Sequence, residues 1–120
     1  MFTEVALEAN ELVHTIVDVI ANKKAGNILT LDVRNITLLA DYYVLCDGAS
    51  PRQIKAIGDD LLEKLKHAGT KLASAEGTPE SGWLLIDFGA VIVHIFSPAQ
   101  RAYYQLEDLW QNAPIVMRML

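Results

Sequence analysis

The chain has 120 residues, of which 52% are hydrophobic and 21% are charged, a balance typical of one globular domain rather than a disordered segment. Ten Lys and Arg against fifteen Asp and Glu give a formal net charge of -5, which argues against a protein that grips nucleic acid by neutralising phosphates. A single cysteine excludes an internal disulfide and a cysteine-based zinc site, and no apolar run is long enough to span a membrane. The acidic first residues show no signal-peptide pattern, so we expect a cytoplasmic protein.

The first part of the chain predicts one helix and two strands from the spacing of its apolar residues. The helix covers Thr3–Ala25, and Gly26 ends it. The first strand runs from Ile28 to Val33, and the continuous apolar run from Tyr42 to Cys46 is typical of an interior strand. The thiol in that run has no basic neighbour to lower its pKa, so we expect Cys46 to be a buried structural residue.

The start of the second helix is the clearest boundary in the chain. The segment Ser50-Pro51-Arg52-Gln53 combines a capping serine, a proline at the first helical position and a glutamine three residues after the cap. An apolar stripe follows, and Gly69 ends the helix. Gly58 lies inside this helix, where glycine costs about 1 kcal/mol relative to alanine. We therefore expect another element to pack closely against it.

The remaining residues predict three strands and a third helix. A short, weak strand at Lys71–Ala75 is expected at or near a sheet edge, and two strong strands follow at Trp83–Phe88 and Val91–Phe96. The segment Ser97-Pro98-Ala99-Gln100 repeats the cap signature and starts the last helix. Residues 111–120 are expected to be a C-terminal tail. The order α-β-β-α-β-β-β-α predicts an α/β (α+β) fold with a single mixed sheet of about five strands and helices packed on it.

The loop between the two strong strands sets the register of a hairpin. Gly89 and Ala90 fit a two-residue type II′ turn, which fixes the pairing of the two strands. In this register one face of the hairpin is wholly apolar, and we expect the helices to pack on it. The opposite face carries three cross-strand pairs: Trp83 with Phe96, Leu85 with His94, and Asp87 with Ile92. Three short helices cannot easily cover both faces, so we expect this second face to be partly open, as a protein-binding surface would be. The alternative is that its aromatic residues lie under a loop or the tail.

Two patterns keep an enzyme among the alternatives. Asp87 and His94 lie within side-chain reach, either as an acid that orients a base or as a half-buried structural pair. The turn Gly48-Ala49-Ser50 before a helix is similar to the glycine–serine turn of nucleotidyltransferases. Those enzymes also need a second acid two positions after Asp47 or Asp87 to hold magnesium, and neither is present. We therefore expect no catalytic residues, no metal site and no cofactor.

Several segments, taken in their order, carry a resemblance to a known family. They are Ala40-Asp41-Tyr42-Tyr43-Val44-Leu45, Gly48-Ala49-Ser50, Gln53, Ala56-Ile57, Glu76-Gly77, Gly82-Trp83-Leu84-Leu85-Ile86-Asp87-Phe88-Gly89, Val93-His94-Ile95-Phe96, Arg101, Tyr104-Gln105-Leu106-Glu107 and Leu109-Trp110. The chain thereby resembles the ribosomal silencing factor family, also called the Iojap family. The resemblance covers residues 1–110 of a single predicted domain, 1–120, and leaves the tail 111–120 outside. It implies a nucleotidyltransferase-like fold without the catalytic acids.

The resemblance also implies a function. The protein would be a translational repressor that binds the large ribosomal subunit through its fourteenth ribosomal protein and sterically blocks joining of the small subunit when nutrients are scarce. We expect little direct contact with rRNA, because the acidic chain suits a basic protein partner better. The expected partner-binding residues are Trp83, Leu85, Asp87, His94, Phe96, Tyr103, Tyr104 and Glu107. A nucleotide-binding or nucleotidyltransferase-like enzyme and a homodimeric adaptor are the alternatives.

Overall fold

The computed structural model describes residues 8–104 and 112–120 of the chain. Within these residues the chain forms three helices and six strands. In chain order they are α1 (Ala9–Asn22), β1 (Gly26–Asp32), β2 (Tyr42–Asp47), α2 (Pro51–His67), β3 (Ser74–Thr78), β4 (Trp83–Asp87), β5 (Val91–Phe96), α3 (Pro98–Tyr104) and β6 (Ile115–Met119). The predicted order of elements is confirmed as far as α3.

The six strands form one mixed sheet in the order β3-β4-β5-β2-β1-β6. β2 and β5 pair in parallel, and the other neighbouring strands pair antiparallel. β2 therefore lies inside the sheet and β3 at one edge, as the sequence predicts. The α+β class and the single mixed sheet are confirmed.

The prediction of a C-terminal tail at residues 111–120 is wrong. Residues Ile115–Met119 form β6, which pairs antiparallel with β1 and becomes the second edge of the sheet. The carbonyl of Pro114 extends this pairing, because it accepts a hydrogen bond from the N–H of Asp32 at 2.9 Å. β6 lacks the apolar–polar alternation of a half-buried strand, because all its residues except Arg118 are apolar. The short apolar run was itself a signal for a strand, although its side chains are largely exposed in the structure. The sheet thus has six strands rather than about five.

Two other predicted boundaries differ from the structure. α1 begins at Ala9, where the N–H of Glu8 donates to the carboxylate of Glu11 at 3.1 Å; the predicted start at Thr3 lies outside the described residues. The helix ends before Gly26, because Lys24 takes the left-handed conformation (φ 62°) that glycine usually supplies at a helix end. β3 lies three residues later than predicted, at Ser74–Thr78.

The start of α2 confirms the cap prediction. The Oγ atom of Ser50 accepts a hydrogen bond from the N–H of Gln53 at 3.1 Å, and the side-chain oxygen of Gln53 accepts one from Ala49 at 2.6 Å. The close approach expected at Gly58 is also present. A Cβ atom there would lie 2.7 Å from Cδ2 of Leu84, so glycine lets α2 settle on β4.

The main core lies between α1, α2 and one face of the sheet. Its members are apolar and mostly aliphatic: the helices contribute Ile16, Ile20, Ile54, Ile57, Leu61 and Leu65, and the sheet contributes Ile28, Val44, Cys46, Ile86, Val93 and Ile95. Cys46 is buried as predicted, and burial raises the pKa of its thiol to about 12, so it stays protonated and unreactive. Among the described residues, no helix is long and apolar enough to cross a membrane.

Candidate protein-binding site

The β4–β5 hairpin has the predicted register. Trp83 lies opposite Phe96, and Leu85 lies opposite His94. Gly89 has a φ of 88°, which glycine adopts without strain and which a tight turn at this position requires. Alternate side chains of the hairpin therefore point to the face opposite the helices, as expected from the sequence.

This second face is less open than predicted. Phe96 is fully buried and His94 is 5% exposed, because a second apolar cluster covers them. The cluster includes Val33 and Ala40 from the connection between β1 and β2, and Ala113 from the segment before β6. His94 and Phe96, two of the predicted partner-binding residues, are thus interior residues whose side chains do not reach the surface.

The accessible part of this face is a groove beside α3. Trp83 and Leu85 are half-buried and form its floor. The walls come from the β3–β4 edge of the sheet and from Gln100 of α3; the lining residues together are Glu76, Gly77, Ser81, Trp83, Leu85 and Gln100. The groove has a volume of about 430 Å³. It combines an aromatic floor with polar walls, a composition suited to a protein segment.

An aromatic cluster beneath the groove holds Trp83 in place. The indole Nε1–H of Trp83 donates a hydrogen bond to Nδ1 of His94 at 3.3 Å. The imidazole stacks on Phe96 with ring centres 5.8 Å apart and meets Tyr43 edge-on at 5.3 Å. Burial lowers the pKa of His94 from its ordinary value of 6.5 to about 4, so the ring is neutral at pH 7 and accepts at Nδ1.

The base-and-acid interpretation of Asp87 and His94 gains no support from this arrangement. A group with a pKa of about 4 is a weak base near neutral pH. The Oδ1 atom of Asp87 accepts a hydrogen bond from the N–H of Gly89 at 2.7 Å, which holds the hairpin turn. Burial and the negative charge of Asp87 raise the pKa of the Tyr43 hydroxyl, so Asp87 lies near that buried side chain. The geometry favours the structural interpretation of the pair.

The other predicted partner-binding residues lie on or after α3. Tyr103 is 78% exposed on α3, where it is accessible to a partner. Tyr104 is the last residue of α3 that the structure describes. Glu107 lies outside the described residues.

A buried ion pair lies directly before the turn Gly48-Ala49-Ser50, at Asp47. Nη1 of Arg101 donates a hydrogen bond to Oδ1 of Asp47 at 2.8 Å and another to the carbonyl of Asn27 at 2.7 Å. Nδ2 of Asn27 donates to the second carboxylate oxygen, Oδ2 of Asp47, at 2.9 Å. Asp47 and Arg101 are each 7% exposed. A magnesium ion at this turn would have to displace the guanidinium. Among the described residues, no group of three or more His, Cys, Asp or Glu could hold a metal ion.

Sequence reasoning missed this ion pair and one exposed apolar segment. Asp47 ends a buried strand, and a carboxylate in that position needs a cationic partner, which was the available signal. Leu38 is fully exposed and Leu39 is 73% exposed in the connection between β1 and β2. Two adjacent leucines outside any predicted helix or strand were the corresponding signal for an exposed contact point.

The fold and the groove define a mixed α+β protein that exposes a half-buried tryptophan beside a short helix. The chain belongs to the ribosomal silencing factor family: the model of that family, described as "Ribosomal silencing factor during starvation", matches residues 6–119. Membership makes it a ribosome-associated factor and a regulator of translation. The match includes β6, so the expectation that residues 111–120 fall outside the family pattern is wrong.

Individual relatives agree with this assignment. "Ribosomal silencing factor RsfS" of Halalkalibacterium halodurans is 39% identical over 106 residues, which span 88% of this chain and 91% of the relative. "Mitochondrial assembly of ribosomal large subunit protein 1" of Mus musculus is 30% identical over 98 residues, 79% of this chain and 43% of that protein. The crystal structure of a Chromobacterium violaceum protein superposes with a TM-score of 0.84 at 34% identity, covering 88% of each chain.

Proposed function

We propose that this protein binds the large ribosomal subunit through its fourteenth ribosomal protein and sterically blocks joining of the small subunit. Its effect would be to lower translation when nutrients are limiting, in the cytoplasm where ribosomes work. The family description, which names silencing during starvation, supports the proposal. The name of the mouse relative, which refers to the large subunit, supports the choice of subunit.

The groove beside α3 is the proposed contact surface, and the half-buried Trp83 is the observation that carries it. Tryptophan is enriched among the few residues that dominate binding energy, especially where it fills a pocket surrounded by polar groups. Leu85 and Asp87 lie on the same face, and Tyr103 extends the surface along α3. His94 and Phe96 act from below by fixing the indole. Tyr104 and Glu107 belong to the surface through the resemblance alone.

The charge of the chain supports a protein partner rather than rRNA. A formal net charge of -5 is repelled by phosphates and attracted by a basic ribosomal protein. Attraction of this kind mainly raises the association rate and weakens with added salt. The proposal therefore needs little direct contact with rRNA, and it involves no reaction and no cofactor.

Sedimentation with purified large subunits tests the proposal. The wild-type protein should sediment with them and reduce joining when small subunits are added. Trp83→Ala should weaken binding at least about 30-fold, as expected for a residue worth about 2 kcal/mol or more at an interface. Leu72→Ala is the matched control, because Leu72 is a partly exposed apolar residue on the α2–β3 connection, away from the groove. Unchanged affinity of a folded Trp83→Ala protein would exclude the groove as the interface.

The two alternatives make different predictions. A nucleotidyltransferase-like enzyme would show a magnesium-dependent thermal shift with nucleotides, although its candidate acid, Asp47, is engaged by Arg101. A homodimer in the free state is favoured by the exposed pair Leu38 and Leu39, since exposed apolar side chains often mark an interface. It would show a concentration-dependent mass in analytical ultracentrifugation, and Leu38→Ser would abolish that dependence.

A further inference from the structure

We infer that Arg101 is the positioning residue of the groove: its buried ion pair with Asp47 fixes α3 on the sheet, so that Gln100 forms one wall beside Trp83. This inference deepens the proposed function and rests on it for the identity of the partner. Arg101 itself is 7% exposed, so it acts on a partner only through the placement of α3.

The first part of the argument is that α3 is tied down where it begins. The N–H of Ser97, the residue before the helix, donates to the carbonyl of Gly82 at 2.8 Å. The Oγ atom of Ser97 then accepts from the N–H of Gln100 at 3.2 Å, which caps the helix. The start of α3 is thus linked to the residue that directly precedes Trp83.

The second part is that Arg101 links α3 to β2 and β1 through buried hydrogen bonds. Its guanidinium reaches Asp47 at the end of β2 and the carbonyl of Asn27 in β1, which are 54 and 74 positions away in sequence. Asn27 also donates to the second oxygen of Asp47, so both carboxylate oxygens are engaged. Over residues 98–103, where the burial of α3 is described, Arg101 is the only buried residue, and the helix packs on β5. The ion pair is therefore the main buried contact that orients this part of the helix.

The third part is that the groove tolerates little movement of α3. A Cβ atom on Gly82 would lie 2.8 Å from Cγ of Gln100 and 2.8 Å from Oγ of Ser97, so helix and turn already touch. Gln100 then forms the wall of a groove whose floor is Trp83 and Leu85. If the ion pair is broken, the uncompensated Asp47 carboxylate draws in water, and the helix that covers it shifts. The wall moves with the helix.

The test compares Arg101→Met and Arg101→Lys with the wild-type protein, using purified large ribosomal subunits as the probe. Each affinity is divided by the folded fraction of the variant, since a purely structural role weakens binding only by that fraction. We expect Arg101→Met to bind at least about fivefold more weakly after this correction. Arg101→Lys should restore part of the affinity, because it keeps the charge but replaces the planar guanidinium by a compact ammonium on a differently shaped side chain.

A second readout needs no partner. The indole N–H of Trp83 gives a nuclear magnetic resonance signal that reports the hydrogen bond to His94 and the nearby wall; Trp83→Phe assigns it. Arg101→Met should shift this signal, although Arg101 lies outside the groove lining. An unmoved signal together with unchanged corrected affinity would overturn the inference. If the wild-type protein does not bind subunits, the proposed function is wrong. The indole signal of Trp83 then still shows whether Arg101 positions α3.

A pair of glycine substitutions keeps the test valid if Arg101→Met does not fold. Gly82→Ala should displace α3 while leaving Arg101 and Asp47 in the sequence, and Gly69→Ala is its control. Gly82 and Gly69 have nearly the same φ, 82° and 85°, so replacement by alanine strains the backbone about equally. A Cβ at Gly82 collides with Gln100 and Ser97, whereas one at Gly69 meets nothing within 4 Å. Gly82→Ala should therefore weaken corrected binding at least about fivefold, and Gly69→Ala should leave it unchanged. Equal affinities of the two would also contradict the inference.

Discussion

The two faces of the sheet are built from different kinds of residue. The helix-covered face is aliphatic almost throughout and lies under α1 and α2, which have 14 and 17 residues. The opposite face carries aromatic rings, an imidazole and a buried ion pair, and within the described residues its cover consists of the β1–β2 connection, the residues before β6 and α3. Long amphipathic helices can seal a face completely, whereas short segments leave part of it accessible.

This difference implies that the helix-covered face mainly stabilises the fold and that the opposite face mainly binds a partner. Aliphatic burial is non-directional and gives stability in proportion to area. Hydrogen-bonded aromatic and charged groups are less favourable to bury, but they hold side chains in fixed orientations. A substitution on the helix-covered face should therefore change stability and leave binding intact, and one in the groove should do the reverse.

The largest expected effect is on the helix-covered face. Leu61 of α2 is fully buried, so Leu61→Ala leaves a cavity and should lower the free energy of unfolding by about 2–5 kcal/mol. Urea denaturation followed by circular dichroism measures the loss. At a temperature where the variant remains folded, its affinity for large subunits should equal that of the wild type. A weakened affinity of the folded variant would show that the two faces are coupled.

The accessible face should respond to pH through His94. An unfolded chain takes up a proton near the ordinary pKa of 6.5, but the folded protein does so near 4, because burial disfavours the charged ring. The contribution of His94 to stability should thus be constant above about pH 6.5 and fall by about 3 kcal/mol between pH 6.5 and 4. The difference in unfolding free energy between wild type and His94→Gln, measured across this range, isolates the histidine.

The control for the pH experiment is His67→Gln, since His67 is exposed at the end of α2. The slopes of His94→Gln and His67→Gln between pH 6.5 and 4 are each compared with that of the wild type. If His94→Gln keeps the wild-type slope, the imidazole is not the buried neutral group that the second face requires. If the slope of unfolding free energy against pH is flattened only in His94→Gln, the result supports a neutral His94 ring that accepts the hydrogen bond of Trp83.

The accuracy of the sequence-based prediction depended on how far apart the interacting residues lie. The cap at Ser50 and the register set by Gly89 depend on neighbours within a few positions, so the local pattern was sufficient. β6 depends on pairing with β1, so its short apolar run did not by itself distinguish a strand from a tail. Arg101 finds its partner 54 positions away, which leaves no local pattern. The burial of Phe96 likewise depends on distant segments that pack over it. The sheet face was predictable, and a cover by a loop or the tail was among the alternatives, but the residues that form the cover were not predictable.

The smallest expected effect tests how tightly the helix-covered face is packed. Gly58→Ala gains about 1 kcal/mol of helix propensity. Against this gain, the new Cβ would lie 2.7 Å from Cδ2 of Leu84, and extra volume in a well-packed core costs about 1–3 kcal/mol. The half-buried Leu84 has a flexible end that can turn aside, so the net destabilisation should be about 1 kcal/mol. Adding Leu84→Val makes room, and thermal unfolding should then show Gly58→Ala as stabilising in that background. If Gly58→Ala stabilises the wild-type chain directly, the helix and sheet are less closely packed than the structure indicates.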